Sequence, residues 1–140
     1  MTNEALESVV RANHELFMRT ADRLAKPLDE LGLTPATAQA LWLIEPDEPA
    51  PSMKVLAGRM HCNAPNLSFV VNQLIDAGLV ERGADPADRR VRVAVLTERG
   101  REMRERVVRL TLDRTPFADC EPEEIARLAE ILRRVLDRTD

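Results

Sequence analysis

The side chains best suited to chemistry are amides at the start of one short helix and a cluster of charges further along the chain. Asn63 and Asn66 flank Pro65 where a helix is predicted to begin. Asn can hydrogen-bond adenine through two atoms, and the free N–H groups of a helix start attract phosphate. Arg89 and Arg90 follow Asp88 at the tip of a predicted hairpin, and the planar fork of donors in Arg fits phosphates and guanine edges. These residue types are typical of a surface that binds nucleic acid.

Each of these residues also has a purely structural interpretation. Asn63 is a good N-cap, a role that is compatible with contact to nucleic acid. Asn66 is equally an ordinary exposed polar residue, and a charged hairpin turn is by default a solvated one. Phe69, on the same helix, either contacts a thymine methyl group or packs back on the core. These alternatives stay open at the level of the sequence.

The sequence contains no recognisable set of catalytic or metal-binding residues. It has no P-loop and no G-x-S-x-G, G-x-G-x-x-G or C-x-x-C motif. His14-Glu15 begins like the H-E-x-x-H zinc motif, but position 18 is Met, so the second histidine is missing. Two His and two Cys are too dispersed for a structural zinc site. We therefore expect no enzyme activity, no cofactor and no metal.

The distribution of charge along the chain is more informative about a nucleic-acid partner than the net charge is. The 140 residues are 44% apolar and 31% charged with a net charge of −4, which fits one globular domain and counts against a nucleic-acid partner. Residues 1–51 carry a net −5, residues 52–106 a net +3 and residues 107–140 a net −2. The basic excess therefore coincides with the candidate residues. Most of the arginines, which supply 18 of the 20 basic residues, are assigned to solvated faces.

The sequence predicts a cytoplasmic protein without a membrane partner. No apolar run approaches the roughly 20 residues of a membrane-spanning helix, and the acidic N-terminus lacks a secretory signal. Cys62 and Cys120 cannot form a disulfide framework, which favours a reducing compartment. Cys62 precedes a predicted helix start, where thiols become reactive, although free Cys is more often a small buried residue.

Caps, prolines and apolar spacing predict a mainly helical chain that positions these residues. A helix reaches Leu31, with a kink at Pro27 and a stop at Gly32. The helices that follow run from Thr34-Pro35 to about Ile44, from Ser52 to Met60, from Asn63 to Ala77-Gly78, from Thr97 and from Pro122.

A β-hairpin is predicted between the fourth and fifth helices. Its strands are 79–82 and 90–96, joined by a turn over 83–89 that contains Gly and Pro. The second strand alternates in a period of two, which predicts one polar face. That polar face would carry Arg90, Arg92 and Ala94, opposite Val91, Val93 and Val95. Helix, turn, helix and hairpin is the order of a winged helix.

The segment from Leu56 to Gly100 resembles the MarR-type bacterial transcriptional regulators. Residues 88–100 read DRRVRVAVLTERG and fit the family's wing signature D-x-R-x-x-x-x-x-L-T-x-x-G at every fixed position. Residues 74–82 fit its L-x-x-x-G-L-V-x-R pattern, and residues 32–35, Gly-Leu-Thr-Pro, match the start of its second helix. The resemblance extends to the flanking helices and so covers nearly the whole chain.

The resemblance implies a single MarR-type domain over residues 1–140, mainly α with a small β-hairpin. A winged helix-turn-helix lobe over 34–97 would be flanked by dimerisation helices in 1–33 and 98–140. It implies a sequence-specific regulator that binds double-stranded DNA as a homodimer on a pseudo-palindromic site. Repression is the family default.

The same resemblance places the DNA contacts in the fourth helix and the wing. Arg90 matches the arginine that the family inserts into the minor groove. Asp88 is expected to orient rather than to bind, with Arg82 on the facing strand as its partner. The expected DNA-binding residues are Asn63, Pro65, Asn66, Ser68, Phe69, Arg82, Asp88, Arg89 and Arg90.

Members of this family commonly respond to small aromatic or phenolic ligands held between the dimer helices and the DNA lobe. The candidate lining residues here are His14, Phe17, Met18 and Trp42, although apolar residues at helical spacing more often form plain core. A regulator without a ligand, a winged helix that docks a protein, and a redox response through Cys62 or Cys120 are the alternatives. The hydroperoxide-sensing branch carries its reactive Cys in the first helix, where this sequence has none.

Overall fold

The computed structural model describes residues 2–139, which form six α-helices and one antiparallel β-hairpin. The elements are α1 (Thr2–Glu30), α2 (Pro35–Leu43), α3 (Met53–Met60), α4 (Ala64–Asp76), β1 (Val80–Ala84), β2 (Arg92–Leu96), α5 (Glu98–Arg114), a short 3-10 turn (Pro116–Asp119) and α6 (Pro122–Asp137). None of the described helices is long and apolar enough to cross a membrane.

The predicted helix ends are confirmed by their capping hydrogen bonds. Thr34 Oγ1 accepts from the backbone N–H of Thr37 at 3.1 Å, at the start of α2. At the end of α1, the N–H of Leu33 donates to the carbonyl of Leu28 at 2.9 Å, while Gly32 adopts a φ of 76°. This is a Schellman motif, in which a glycine takes the left-handed conformation that ends the helix. These helix boundaries are therefore set by hydrogen bonds between residues that are close together in the sequence.

Helix α2 lies at the centre of the hydrophobic core. Ala40 and Leu41 are completely buried, and α2 contacts α1, α3, α4 and α5. Because one short helix meets four others, its position sets the arrangement of the lobe. The large side chains that are also fully buried around it are Ile44, Leu56, Leu67, Val71, Leu74 and Val80.

Two arginines close the C-terminal end of α2. Arg104 of α5 donates from Nε and Nη2 to the carbonyl of Trp42, at 3.2 and 2.9 Å. Arg59 of α3 donates from Nη1 to the carbonyl of Leu43 at 2.9 Å. The last carbonyls of a helix have no partner within the helix, so these guanidinium groups satisfy them. The sequence analysis assigned most arginines to solvated faces and did not predict these two contacts.

Thr97 joins the end of α4, the hairpin and α5 at one point. Its N–H donates to the carbonyl of Leu79 at 3.1 Å, and its Oγ1 donates to the carbonyl of Gly78 at 2.7 Å. The same Oγ1 accepts from the N–H of Gly100 at 3.0 Å, as the N-cap of α5. The base of the hairpin is therefore fastened to the first turn of α5.

The hairpin differs from the prediction in its ends and in one face. β1 continues to Ala84 and β2 begins at Arg92, so the connection is shifted along the chain. The prediction of Ala94 on a polar face is wrong, since this residue is 0% exposed. The reason is a third segment beside β2: Ala94 donates its N–H to the carbonyl of Pro51 at 2.9 Å, and Ser52 bridges Val93.

Replacing Gly100 by Ala tests the contact between α5 and the base of the hairpin. A Cβ atom at this position would overlap the carbonyl oxygen of Leu79, which is backbone and cannot rotate away. We expect Gly100→Ala to lower the free energy of unfolding by about 1–3 kcal/mol, measured by urea denaturation. Gly58→Ala in α3 is the matched control, because nothing lies within 4 Å of its Cβ position. Equal stability of the two variants would contradict the contact.

Candidate nucleic-acid interface

Helix α4 separates a buried face from an exposed polar one. Leu67, Val71 and Leu74 point into the core. At 3.6 residues per turn, the side of α4 away from them carries Pro65, Asn66, Phe69, Asn72 and Gln73, all of which are exposed. We call these five residues the outer face of α4. Two further predicted contact residues lie beside it, Asn63 exposed at the N-cap and Ser68 half-buried.

Phe69 stands out in the middle of this outer face. Its side chain is 66% exposed, so it does not pack back on the core. Of the two interpretations that the sequence left open, core packing is therefore wrong. A large apolar ring facing solvent among amides is available for contact with a partner.

Arg82 is held against α4 by a residue that the sequence interpretation missed. Its Nη2 donates to Asn72 Oδ1 at 2.7 Å. The expected pairing of Arg82 with Asp88 is therefore wrong. The tight turn at Gly78 brings β1 back beside the end of α4, so an outer-face amide one turn from that end meets the strand. The Gly78 turn is the sequence signal that could have pointed to Asn72.

At the tip of the wing, Asp88 pairs with Arg90 instead. Asp88 Oδ1 accepts from the backbone N–H and from Nε of Arg90, at 3.1 and 3.2 Å. The two residues share one turn, closed by a hydrogen bond of 3.0 Å from the N–H of Asp85 to the carbonyl of Val91. Hydrogen bonds from the Arg90 side chain and then its backbone hold the pKa of Asp88 below its usual 3.8.

The Asp88–Arg90 pair leaves the arginine open to solvent. The Arg90 side chain is 91% exposed, and Arg89 beside it is also exposed. An ion pair at such exposure is weak, so the guanidinium can exchange Asp88 for another anion. The turn therefore presents Arg90 in a preferred direction without burying it.

The four candidate effector-binding residues lie on two helices and differ in exposure. His14, Phe17 and Met18 are exposed on α1, while Trp42 on α2 is half-buried against the core. An open groove of about 550 Å³ lies between the end of α1 and α5. Its lining includes Pro27, Leu31, Arg106, Arg109 and Leu110.

The two cysteines differ in their surroundings. Both Cys62 and Cys120 are free thiols of intermediate exposure. Cys62 packs against the hydrophobic core, which fits the interpretation of free Cys as a small apolar residue.

Comparison with known proteins shows which family this winged helix is similar to. The model of the MarR family matches residues 31–91, which run from the end of α1 to the wing. Over these residues the chain is similar to the MarR family. Members of this family and the structural neighbours are transcriptional regulators rather than enzymes, and the predicted MarR resemblance and fold class are confirmed.

Solved structures extend the similarity over nearly the whole chain. AbsC, a MarR family transcriptional regulator from Streptomyces coelicolor, is 26% identical with a TM-score of 0.77, over 95% of this chain and 93% of AbsC. The transcriptional regulator BldR from Sulfolobus solfataricus is 23% identical with a TM-score of 0.74, over 98% and 95% of the two chains. BpsR from Bordetella bronchiseptica is 24% identical with a TM-score of 0.74, over 92% and 93%. No curated protein sequence matches the chain.

The pKa of Asp88 reports the contact at the tip of the wing. Its carboxylate is stabilised by Arg90, so it stays charged until the pH falls below 3.8, and the ion pair is lost only in that acidic range. We expect the Asp88 carboxyl resonance to titrate below 3.8 in the wild type and to move up toward 3.8 in Arg90→Ala. Arg89→Ala is the control, because Asp88 accepts no hydrogen bond from Arg89 in the described chain. A wild-type midpoint at or above 3.8 would contradict the pairing.

Proposed function

We propose that this protein is a sequence-specific DNA-binding transcriptional regulator of the MarR type. It acts as a homodimer on a pseudo-palindromic site in double-stranded DNA, in the family's default role of repressor. The observation that carries the proposal is the exposed, amide-rich outer face of α4, joined through Arg82 to a wing with a solvent-exposed Arg90. A helix in the major groove and a hairpin on its flank is how a winged helix binds DNA.

The distribution of charge supports DNA over a protein as the partner. Residues 52–106 carry the net +3, while the two ends are acidic. Positive side chains supply the sequence-independent attraction to phosphate, and amides supply contacts to base edges. The outer face of α4 has one large apolar side chain, Phe69, whereas a protein-docking groove would carry a broader apolar patch.

Uncovered apolar side chains on α1 and α6 support the homodimer. Helix α6 has a regular apolar stripe, yet none of its residues is buried within the described chain. Leu132 is 49% exposed and Leu136 66%, and on α1 Val9 is 66% exposed. Apolar stripes of this extent need a covering surface. A second copy offers matching stripes, and an isologous interface would place two α4 helices for a two-fold symmetric site.

We also propose that a small aromatic molecule modulates binding. The DNA binding of BpsR is regulated by 6-hydroxynicotinic acid. In this protein the candidate contacts are His14, Phe17, Met18 and Trp42. The first three lie on α1, which the proposed dimer would cover in part, so this pocket would form only between two copies.

Removing the Arg90 guanidinium tests the role of the wing. We expect Arg90→Ala to weaken DNA binding across all sequences and to flatten the dependence of log affinity on log salt by about one unit of slope. Fluorescence anisotropy at several salt concentrations measures both effects. Arg138→Ala removes the same charge beyond the end of α6 and should leave the slope unchanged. An unaltered slope in Arg90→Ala would rule out its phosphate contact.

A charge in the apolar stripe of α6 tests the homodimer. We expect Leu132→Glu to convert the dimer to a monomer, because a carboxylate cannot be buried in an apolar interface without a partner. Sedimentation equilibrium gives the mass, and circular dichroism verifies that the helices remain. Arg127→Glu introduces the same side chain on α6 away from the stripe and should stay dimeric. A wild-type protein that is monomeric at micromolar concentration would overturn the proposed assembly.

A further inference from the structure

The outer face of α4 has no positively charged side chain. The whole helix, from Ala64 to Asp76, contains neither Arg nor Lys, and its one charge is the acidic Asp76 at its end. The commonest specific contact in the major groove is an Arg or Lys bound to O6 and N7 of guanine. Helix α4 cannot make that contact with a residue of its own. Its reading of bases is left to amides and one aromatic ring.

The hydrogen bonds already formed decide which amides are free. Asn63 Oδ1 accepts from the N–H of Asn66 as the N-cap, and Asn72 Oδ1 accepts from Arg82. Reading adenine takes both ends of an amide, since its oxygen accepts from N6 and its nitrogen donates to N7. In Asn63 and Asn72 that oxygen already accepts a hydrogen bond within the protein, which fixes the orientation of the amide.

The amide side chains of Asn66 and Gln73 are exposed and make no hydrogen bond among residues 2–139. They lie on either side of Phe69 along α4, at spacings of three and four residues. Each retains both its acceptor and its donors. These are the two amides on the outer face that can pair with adenine in full.

Phe69 adds an apolar contact between these two amides. Its ring is 66% exposed on the outer face, as described above, and no polar atom on it can hydrogen-bond a base. In the major groove the apolar feature of a base pair is the 5-methyl group of thymine. A ring between two adenine-reading amides is thus matched to A·T pairs in succession.

We propose that α4 selects A·T base pairs, with Asn66 and Gln73 on adenine and Phe69 against the 5-methyl group of thymine. This inference rests on the proposed DNA-binding function and names the base composition that the same site recognises. Phe69 is the specificity-determining residue in it, and the wing and Arg82 contribute phosphate contacts that do not depend on sequence.

The test begins with sites selected from random DNA by the wild-type protein. We expect A·T pairs with thymines in the central positions of each half-site. Deoxyuridine, which lacks the 5-methyl group, then replaces thymine one position at a time. Loss of one buried methyl contact should weaken wild-type binding about fourfold at the position that faces Phe69, measured by fluorescence anisotropy.

Two variants at position 69 test whether the Phe69 ring causes the difference in affinity between thymine and deoxyuridine sites. Phe69→Ala should bind thymine and deoxyuridine sites equally, because no side chain remains to contact the methyl group. Phe69→Leu keeps an apolar side chain and should retain a preference for thymine. Both variants should keep the wild-type salt slope, since neither changes a charge. Because the ring is exposed, neither substitution should lower the melting temperature.

The outcomes separate this inference from the proposed function. Salt-dependent binding to G·C-rich selected sites, or equal wild-type affinity for thymine and deoxyuridine, would overturn the inference and leave the DNA-binding function intact. A thymine preference that survives in Phe69→Ala would also overturn it, because another residue would then contact the methyl group. Absence of any salt-dependent DNA affinity would overturn both.

Discussion

The end of α2, where Arg59 and Arg104 bind its last carbonyls, is the contact on which the arrangement of the helices depends. The side chain of Arg104 is only 14% exposed, and its guanidinium also pairs with Glu45 at 3.1 Å. Charge-assisted hydrogen bonds of this kind fix direction as well as distance. They hold α5 and α3 to the same end of the central helix. Since α4 packs on α2 and α3, the orientation of its outer face depends on these bonds at the end of α2.

Features of the fold that depend on neighbouring residues were predictable from the sequence. The caps at Thr34 and Asn63, the glycine that ends α1 and the proline that starts α6 each act within one helical turn. Features that depend on distant residues were not. Ala94 is buried because Pro51 lies beside it, and no pattern within β2 records that neighbour. Similarly, nothing in the sequence shows which of the eighteen arginines lie next to the end of a helix.

The candidate site shows the same division. The positions of the α4 and wing residues followed from the motifs, but their hydrogen bonds did not. Asp88 has Arg90 within its own turn, and a partner two residues away wins over one on the facing strand because little chain entropy opposes it. Arg82 is then free to bind Asn72. This change of partners determines which amide oxygens on α4 remain available for hydrogen bonds to bases.

The hairpin is built in two parts of unequal stiffness. Thr97 and Gly100 fasten its base to backbone atoms of Gly78 and Leu79, with no room for an added atom. Its tip, over residues 85–91, is closed by hydrogen bonds among its own residues. A different tip can therefore be grafted between the strands without disturbing the core. During divergence, the part of the wing that meets the flank of a site can change independently of the lobe that carries α4.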